Sequence, residues 1–382
     1  MTPTHSNYQI CKVTVMDNSI PGTTFDADGY SNHYWDFKNT VEPHWHPDEK
    51  GTEILTRQVE QIRSAGRGKD FDCILGLSGG VDSSFMLHTM VRDYGLRPLV
   101  FHVDGGWNSE MAVHNIEVLV EQLGVDLYTE VINWEEMRDF QLAWFKSGVP
   151  HIDIPQDHAF IAVLYQFAEK YGIRTILNGG NISTECVKMP YLYYYWGTDM
   201  RQIKDITRRF GTIPMKTYPF SSVYRHKLFL RYAKGVQVFK PLNFMPFSKQ
   251  RALTELESNY GWKAYPQKHF ESRFTRFYEG YWLPTRFGFD VRRCQFSSLI
   301  LTGQMTREAA LEALETLPYD SETIEQDFEY IANKLRISVD ELRGYRDMPL
   351  KFYWDYRNQH FVLGLVEKAA SVLKIGRRGG AY

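Results

Sequence analysis

The stretch FDCILGLSGGVDSS, residues 71–84, decides how the rest of the chain is read. Phe71 to Leu77 is apolar apart from Asp72, the pattern of a parallel strand buried on both faces. The loop Ser78-Gly79-Gly80-Val81-Asp82-Ser83-Ser84 then runs into an amphipathic stretch from Ser83 to Tyr94. Two glycines let the backbone turn tightly and bring its N–H groups close to an oxyanion. The hydroxyls of Ser78, Ser83 and Ser84 add donors, and a helix starting near Ser83 turns its positive end on the bound group. The loop reads as a cradle for phosphate or pyrophosphate, the plain alternative being a helix-capping turn. It has no Gly-Lys-Ser/Thr of a Walker A loop and is not GxGxxG.

Outward from the loop, strand and helix patterns alternate. Strands are expected at 99–103, 127–132 and 175–177, with helices at 53–65, 109–123, 135–145 and 158–171 between them. Strands separated by helices of this length imply right-handed βαβ units, hence an α/β fold with a doubly wound parallel sheet. Residues 1–50 show turn signals at Ile20-Pro21-Gly22 and Asp26-Ala27-Asp28-Gly29 and little periodicity. Beyond Lys249 the strand signal fades, and helices are expected at 248–260, 306–315, 322–335 and 339–345, the last opened by Ser338 with Glu341 as a capping box. The division is 1–52, a small irregular lobe; 53–247, the sheet domain; and 248–382, a helical region. The Gly/Arg-rich tail 376–380 is expected to be mobile.

Composition narrows the function. Of 382 residues, 44 are Lys or Arg and 46 Asp or Glu, a net charge of −2 that makes nucleic acid an unfavoured partner. The cysteines at 11, 73, 186 and 294 show no Cys-x-x-Cys spacing, which suits a reducing compartment. Without a signal-like start or a long apolar run, a cytoplasmic protein is expected.

Three more places bear candidate residues. His102 and Asp104 end the second strand, and Asn178-Gly179-Gly180-Asn181 follows the strand at 175–177; both lie at the carboxyl edge where such sheets bind ligands. At each, a polar strand end or a plain turn is the alternative. Asp82 is the carboxylate nearest the phosphates and the expected Mg²⁺ ligand, because magnesium on ATP takes hard oxygens. Arg273 and Arg276, one helical turn apart, could anchor a diphosphate or carboxylate, or could form an ordinary basic face.

The heptapeptide matches the SGGxDS signature and so resembles the N-type ATP pyrophosphatases, which include GMP synthetase, asparagine synthetase and tRNA thiolation enzymes. The resemblance implies that ATP lies with its pyrophosphate on Ser78, Gly79, Gly80, Asp82, Ser83 and Ser84. It puts the backbone near His102 and Asp104 against adenine, and Gly179-Gly180 near the α-phosphate. Lys240-Pro241-Leu242 followed by Lys249 is similar to the family's Pro-Leu segment, with Lys249 neutralising the departing pyrophosphate.

Other strings narrow the resemblance: Val15-Met16-Asp17, Phe25-Asp26-Ala27-Asp28-Gly29, Ile182-Ser183-Thr184-Glu185-Cys186, Glu271 to Tyr278, and Ser297-Ser298-Leu299-Ile300. With these the chain resembles the N-acetyl sugar amidotransferases of bacterial surface-polysaccharide synthesis. That implies adenylation of an acetamido oxygen on a nucleotide-linked N-acetyl sugar and its replacement by ammonia, giving an acetamidino group in O-antigen assembly. Asn181, Glu185, Arg273 and Arg276 become candidate substrate contacts. The resemblance also implies that ammonia comes from separate glutaminase and cyclase-like proteins. A homodimer is left open.

One departure is plain. The family carries two Cys-x-x-Cys pairs near its start, where this chain keeps Cys11 but has Thr14, Ser31 and Tyr34. One sulfur cannot build a tetrahedral zinc site, and His33, His44 and His46 have no matching spacing, so no zinc is expected. Two other readings stay open: a different enzyme of the loop group, such as a tRNA-modifying or small-molecule amide synthetase, and a non-catalytic ATP-binding scaffold.

Overall fold

The computed structural model describes residues 8–365; the Gly/Arg-rich tail at 376–380 and the first seven residues lie outside the described residues. Five strands, β1 (Cys73–Gly76), β2 (Pro98–Asp104), β3 (Leu127–Val131), β4 (Thr175–Leu177) and β5 (Gln237–Phe239), form one sheet in the order β3-β2-β1-β4-β5. Every pairing is parallel.

The period-two alternation of a strand explains why both faces are covered. Ile74 of β1 and Leu99, Phe101 and Val103 of β2 enter one core with helices Trp134–Ser147 and Ile154–Lys170. Cys73 and Leu75 of β1 and Val100 of β2 enter another with helices Glu49–Ala65, Val81–Arg92 and Lys249–Tyr260. This is the expected doubly wound architecture. The first core also takes in Cys11, Met16 and Ile20 from the N-terminal lobe and Phe274, Phe277, Phe328 and Leu342 from the helical region. The aromatic spacing at 274–282 therefore serves packing: Phe274, Phe277, Tyr278 and Trp282 are all fully buried.

Some elements were not anticipated. β5 is only three residues and presents Gln237 and Val238 to solvent, so it has no apolar run. Helix Met200–Phe210 is strongly amphipathic and is capped by Asp199, whose carboxylate accepts from the N–H groups of Arg201 and Gln202. Residues 278–287 form a π-helical stretch containing Pro284. Among the described residues no helix is long and apolar enough to cross a membrane.

In the N-terminal lobe, Cys11 Sγ accepts the Ser31 N–H at 3.4 Å and Thr14 Oγ1 accepts the Met16 N–H at 3.4 Å. Arg293 holds the lobe to the helical region through Asp17 at 2.9 Å, and Arg307 does so through the Cys11 and Thr14 carbonyls. Hydrogen bonds and ion pairs thus organise the turns around Cys11.

Candidate active site

The sheet order places a topological switch point between β1 and β4, and the loops leaving their carboxyl ends meet there. One is the Ser78–Asp82 loop, the other Asn178-Gly179-Gly180. A Cβ on Gly179 would lie 3.2 Å from the Asp82 carbonyl carbon, so glycine sets the closeness of the two loops. Gly79 has φ +85°, and a Cβ there would meet the Ala112 carbonyl oxygen at 2.9 Å. Both positions need glycine for stated reasons, one for conformation and one for approach.

Gly80 is the N-cap of helix Val81–Arg92, and no side chain caps that end. Its first-turn amides and positive dipole are left for an anion. The hydroxyls of Ser78 and Ser83 lie 3.2 Å apart, and the Gly80 N–H donates to Ser78 Oγ at 3.2 Å. Ser84 points elsewhere: it is fully buried in the helix and does not line the cavity, which corrects its expected place on the phosphates. Gly79 likewise acts from behind, its carbonyl accepting from the Tyr265 hydroxyl at 3.1 Å.

The two loops open on a cavity of about 390 Å³. Ser78, Gly80, Asp82, Ser83, His102, Gly179, Gly180, Glu185 and Lys249 all line it, so most expected site residues are brought together. Asp104 does not line it; its carboxylate accepts from the Gly106 N–H at 2.8 Å and from Asn108 at 3.3 Å, closing the turn after β2. Asn181 is buried as the N-cap of Ile182–Glu185, accepting from the Thr184 N–H at 3.0 Å. His102 Nδ1 donates to the Leu77 carbonyl at 2.8 Å, which leaves Nε2 to accept from Asn108 at 2.8 Å. Burial holds this imidazole below its ordinary pKa, so it is neutral at physiological pH.

Arg273 and Arg276 are not cavity residues. Both turn onto Asp327, which is fully buried, with Arg273 Nε at 2.6 Å and Arg276 Nε at 2.9 Å from its oxygens. A buried carboxylate must be paired, and it takes both forks. Arg292 pairs with Asp290 and Arg293 with Asp17 in the same structural way.

What the sequence did not reveal is the cation at the loop. Lys268 Nζ donates to Asp82 Oδ2 at 3.1 Å, to Glu185 Oε1 at 2.7 Å and to Thr184 Oγ1 at 3.0 Å. Burial opposes its charge, yet Asp82 and Glu185 raise its pKa above the ordinary lysine value. Its neighbour His269 has φ +66°, rare for a residue with a side chain, and is held there by Glu279 at 3.0 Å. Nothing in the composition around a lone lysine marks it, because its partners lie 83 and 186 residues away. Asp82 Oδ1, by contrast, is buried without a hydrogen-bond partner. An orphaned hard oxygen beside a phosphate cradle fits a magnesium ion brought in on a nucleotide.

Residues 271–273 run antiparallel to 107–109, the Ser109 N–H donating to the Glu271 carbonyl at 3.0 Å and the Arg273 N–H to the Trp107 carbonyl at 2.9 Å. This presses Glu271 against the phosphate loop, with Ser78 Oγ donating to its carboxylate at 3.4 Å. The segment matches a known domain: residues 271–370 fit the family described as LPS biosynthesis protein WbpG-like, C-terminal domain. Over this stretch the chain is similar to the WbpG-like proteins. The resemblance to surface-polysaccharide enzymes read from Glu271 to Tyr278 is thereby supported.

Other likenesses are to proteins named as a synthase or as synthetases. GMP synthase [glutamine-hydrolyzing] of Pyrobaculum aerophilum is 34% identical over 83 residues, which is 22% of this chain and 15% of that protein. Among solved structures, NMN synthetase from Francisella tularensis has a TM-score of 0.33 at 14% identity, covering 80% of this chain and 99% of its own. An NH3-dependent NAD synthetase from Campylobacter jejuni has 0.30 at 14%, covering 79% and 98%. The WbpG-like segment supplies Glu271, Thr275, Tyr278 and Glu279 to the same cavity as the loop.

Proposed function

We propose that this chain is an ATP-dependent amidating enzyme that turns the acetamido group of a nucleotide-linked N-acetyl sugar into an acetamidino group. The observation that carries the proposal is the shared cavity: the phosphate loop forms one part of its wall and the WbpG-like segment another. ATP lies with its β- and γ-phosphates on Ser78, Gly80 and the first turn of the helix, and its α-phosphate near Gly179-Gly180. Asp82 Oδ1 holds magnesium, whose charge offsets the phosphates. An amide oxygen leaves poorly, so the oxygen first attacks the α-phosphorus. The bond from that phosphorus to pyrophosphate breaks, and loss of the amide N–H proton leaves an imidate ester of AMP. Lys249 stabilises the charge gathering on pyrophosphate. Glu185, 41% exposed on the cavity side, is a sugar contact.

Ammonia must come from outside the chain. A glutaminase needs an activated, accessible thiolate, and all four cysteines are buried. Burial pushes Cys186 and Cys294 up to about 12. Separate glutaminase and cyclase-like partners remain part of the proposal, as do work in the cytoplasm and O-antigen synthesis. The division into a lobe at 1–52, a sheet domain at 53–247 and a helical region at 248–382 is likewise proposed, with one core drawing residues from all three.

The test is pyrophosphate and AMP release from ATP, ammonium chloride and a panel of nucleotide-linked N-acetyl sugars. Asp82→Asn should abolish release. Release with tRNA and not with any sugar would transfer the protein to another substrate class, and ATP binding without release from any acceptor would favour a scaffold.

A further inference from the structure

The cavity carries a second cluster that the adenylation step does not use: His151, Asp153, Asp157, Thr275 and Glu279. Two of its carboxylates have imidazole partners. Asp157 Oδ2 lies 3.2 Å from His151 Nε2, and Glu279 lies 3.0 Å from His269 Nδ1 while accepting from the Tyr194 hydroxyl at 2.7 Å. Asp153 differs. It is 3% exposed, its Oδ2 accepts from Thr275 Oγ1 at 2.6 Å, and its Oδ1 has no partner. It is also the N-cap of helix Ile154–Lys170, where aspartate normally accepts the helix's own first N–H groups. Its side chain makes no such bond and lines the cavity instead.

A buried carboxylate oxygen left open, and withheld from the cap it would ordinarily make, calls for a donor ligand. We infer that this part of the cavity is an ammonium site, with Asp153 Oδ1 both holding the ion and taking its proton; the inference rests on the amidation proposed above. Ammonium suits the place because it is small, cationic and donates hydrogen bonds in all directions. Burial, then the neighbouring Asp157, raise the proton affinity of Asp153 above the usual carboxylate range, against opposing pulls from Thr275 and His151. A bound ammonium ion favours the ionised carboxylate, and its raised proton affinity then lets it draw the proton from the ion more readily than an ordinary aspartate would. With one proton on Asp153, the freed nitrogen lone pair bonds to the imidate carbon. One N–H proton passes to the sugar nitrogen, and the carbon–oxygen bond to AMP breaks with its electron pair on AMP, leaving an amidinium.

The test uses crystals of the full chain soaked in a thallium(I) salt, a heavy cation of similar size to ammonium. An anomalous peak about 3 Å from Asp153 Oδ1 is expected, displaced by ammonium chloride and absent in Asp153→Asn. In solution, ammonium chloride should raise the melting temperature saturably over tetramethylammonium chloride at equal ionic strength, and the Asp153→Asn variant should lose that rise. Thallium sites found only elsewhere would overturn the inference, and this readout needs no variant to fold. Asp82→Asn should keep the peak. Pyrophosphate release without a peak would remove the ammonium site alone; a peak without release from any sugar would remove the proposed function and leave the site.

Discussion

Lys268 Nζ lies 3.1 Å from Asp82 Oδ2, with only 13% and 16% of the two side chains exposed. This contact fixes the carboxylate of the phosphate loop from a residue far along the chain. Lys268→Met should destabilise the protein by about 3 kcal/mol, as expected when a buried pair loses one member, and weaken ATP binding about tenfold or more. Glu185, more exposed, adds little of its own. Burial raises the Glu185 pKa, but Lys268 outweighs it and leaves the group depressed, so this contribution is present above the ordinary carboxylate pKa and lost as pH falls through the lowered one. Chemical denaturation of both proteins from neutral to acid pH should show the gap between them narrowing. A constant gap would remove Glu185 from the account.

His269 offers a switch at the other end of the range. Burial opposes its charge, but Glu279 raises its pKa from 6.5 to about 9. A raised folded pKa means stability that is fully present below 6.5 and lost as pH rises through about 9. His269→Asn keeps a residue tolerant of φ +66° while removing the imidazolium. The stability difference from wild type should be largest at mildly acid pH and disappear in alkaline solution, read from urea unfolding at a series of pH values.

From sequence, Arg273 and Arg276 are either sugar-nucleotide anchors or an ordinary basic face, and their bonds to Asp327 argue for a structural task. Arg273→Gln should lower the unfolding free energy by about 2–4 kcal/mol, because Asp327 is fully buried and keeps one fork. ATP affinity, measured by calorimetry on the folded variant, should stay within about twofold. A selective loss of sugar-nucleotide binding with stability intact would restore the anchor reading.

The contrast between these residues shows what the sequence could carry. Ser78 to Asp82 and Gly179-Gly180 were legible because a strand, a glycine loop and a helix follow one another in the chain, and local order fixes where such loops lie. The role of Arg273 and Arg276 stayed open between an anchor and a basic face because the partner they pair with, Asp327, lies about fifty residues away on another helix. Lys268 was invisible for the same reason. Asp153 had a local signal, since His151, Asp153 and Asp157 cluster around Pro155 at a helix start. Only the structure shows that its carboxylate declines the cap.

Lys249 is the residue on which the proposed chemistry can be read most directly. It opens helix Lys249–Tyr260, lines the cavity, and its ammonium makes no hydrogen bond or ion pair among the described residues. Burial lowers its pKa and Lys268 adds to that, while Asp82 and Glu271 act against it. A cation without a ground-state partner is suited to charge that appears only during reaction. Lys249→Ala should therefore reduce the rate of pyrophosphate release about a hundredfold while changing ATP affinity by less than about threefold. Lys249→Arg should recover part of the rate. Because the charged form acts and its pKa is lowered, wild-type activity should decline on the alkaline side before an ordinary lysine would titrate, and the arginine variant should hold its activity further. An alanine variant that loses affinity and rate by the same factor would show that Lys249 binds ATP in the ground state and does no more in the transition state.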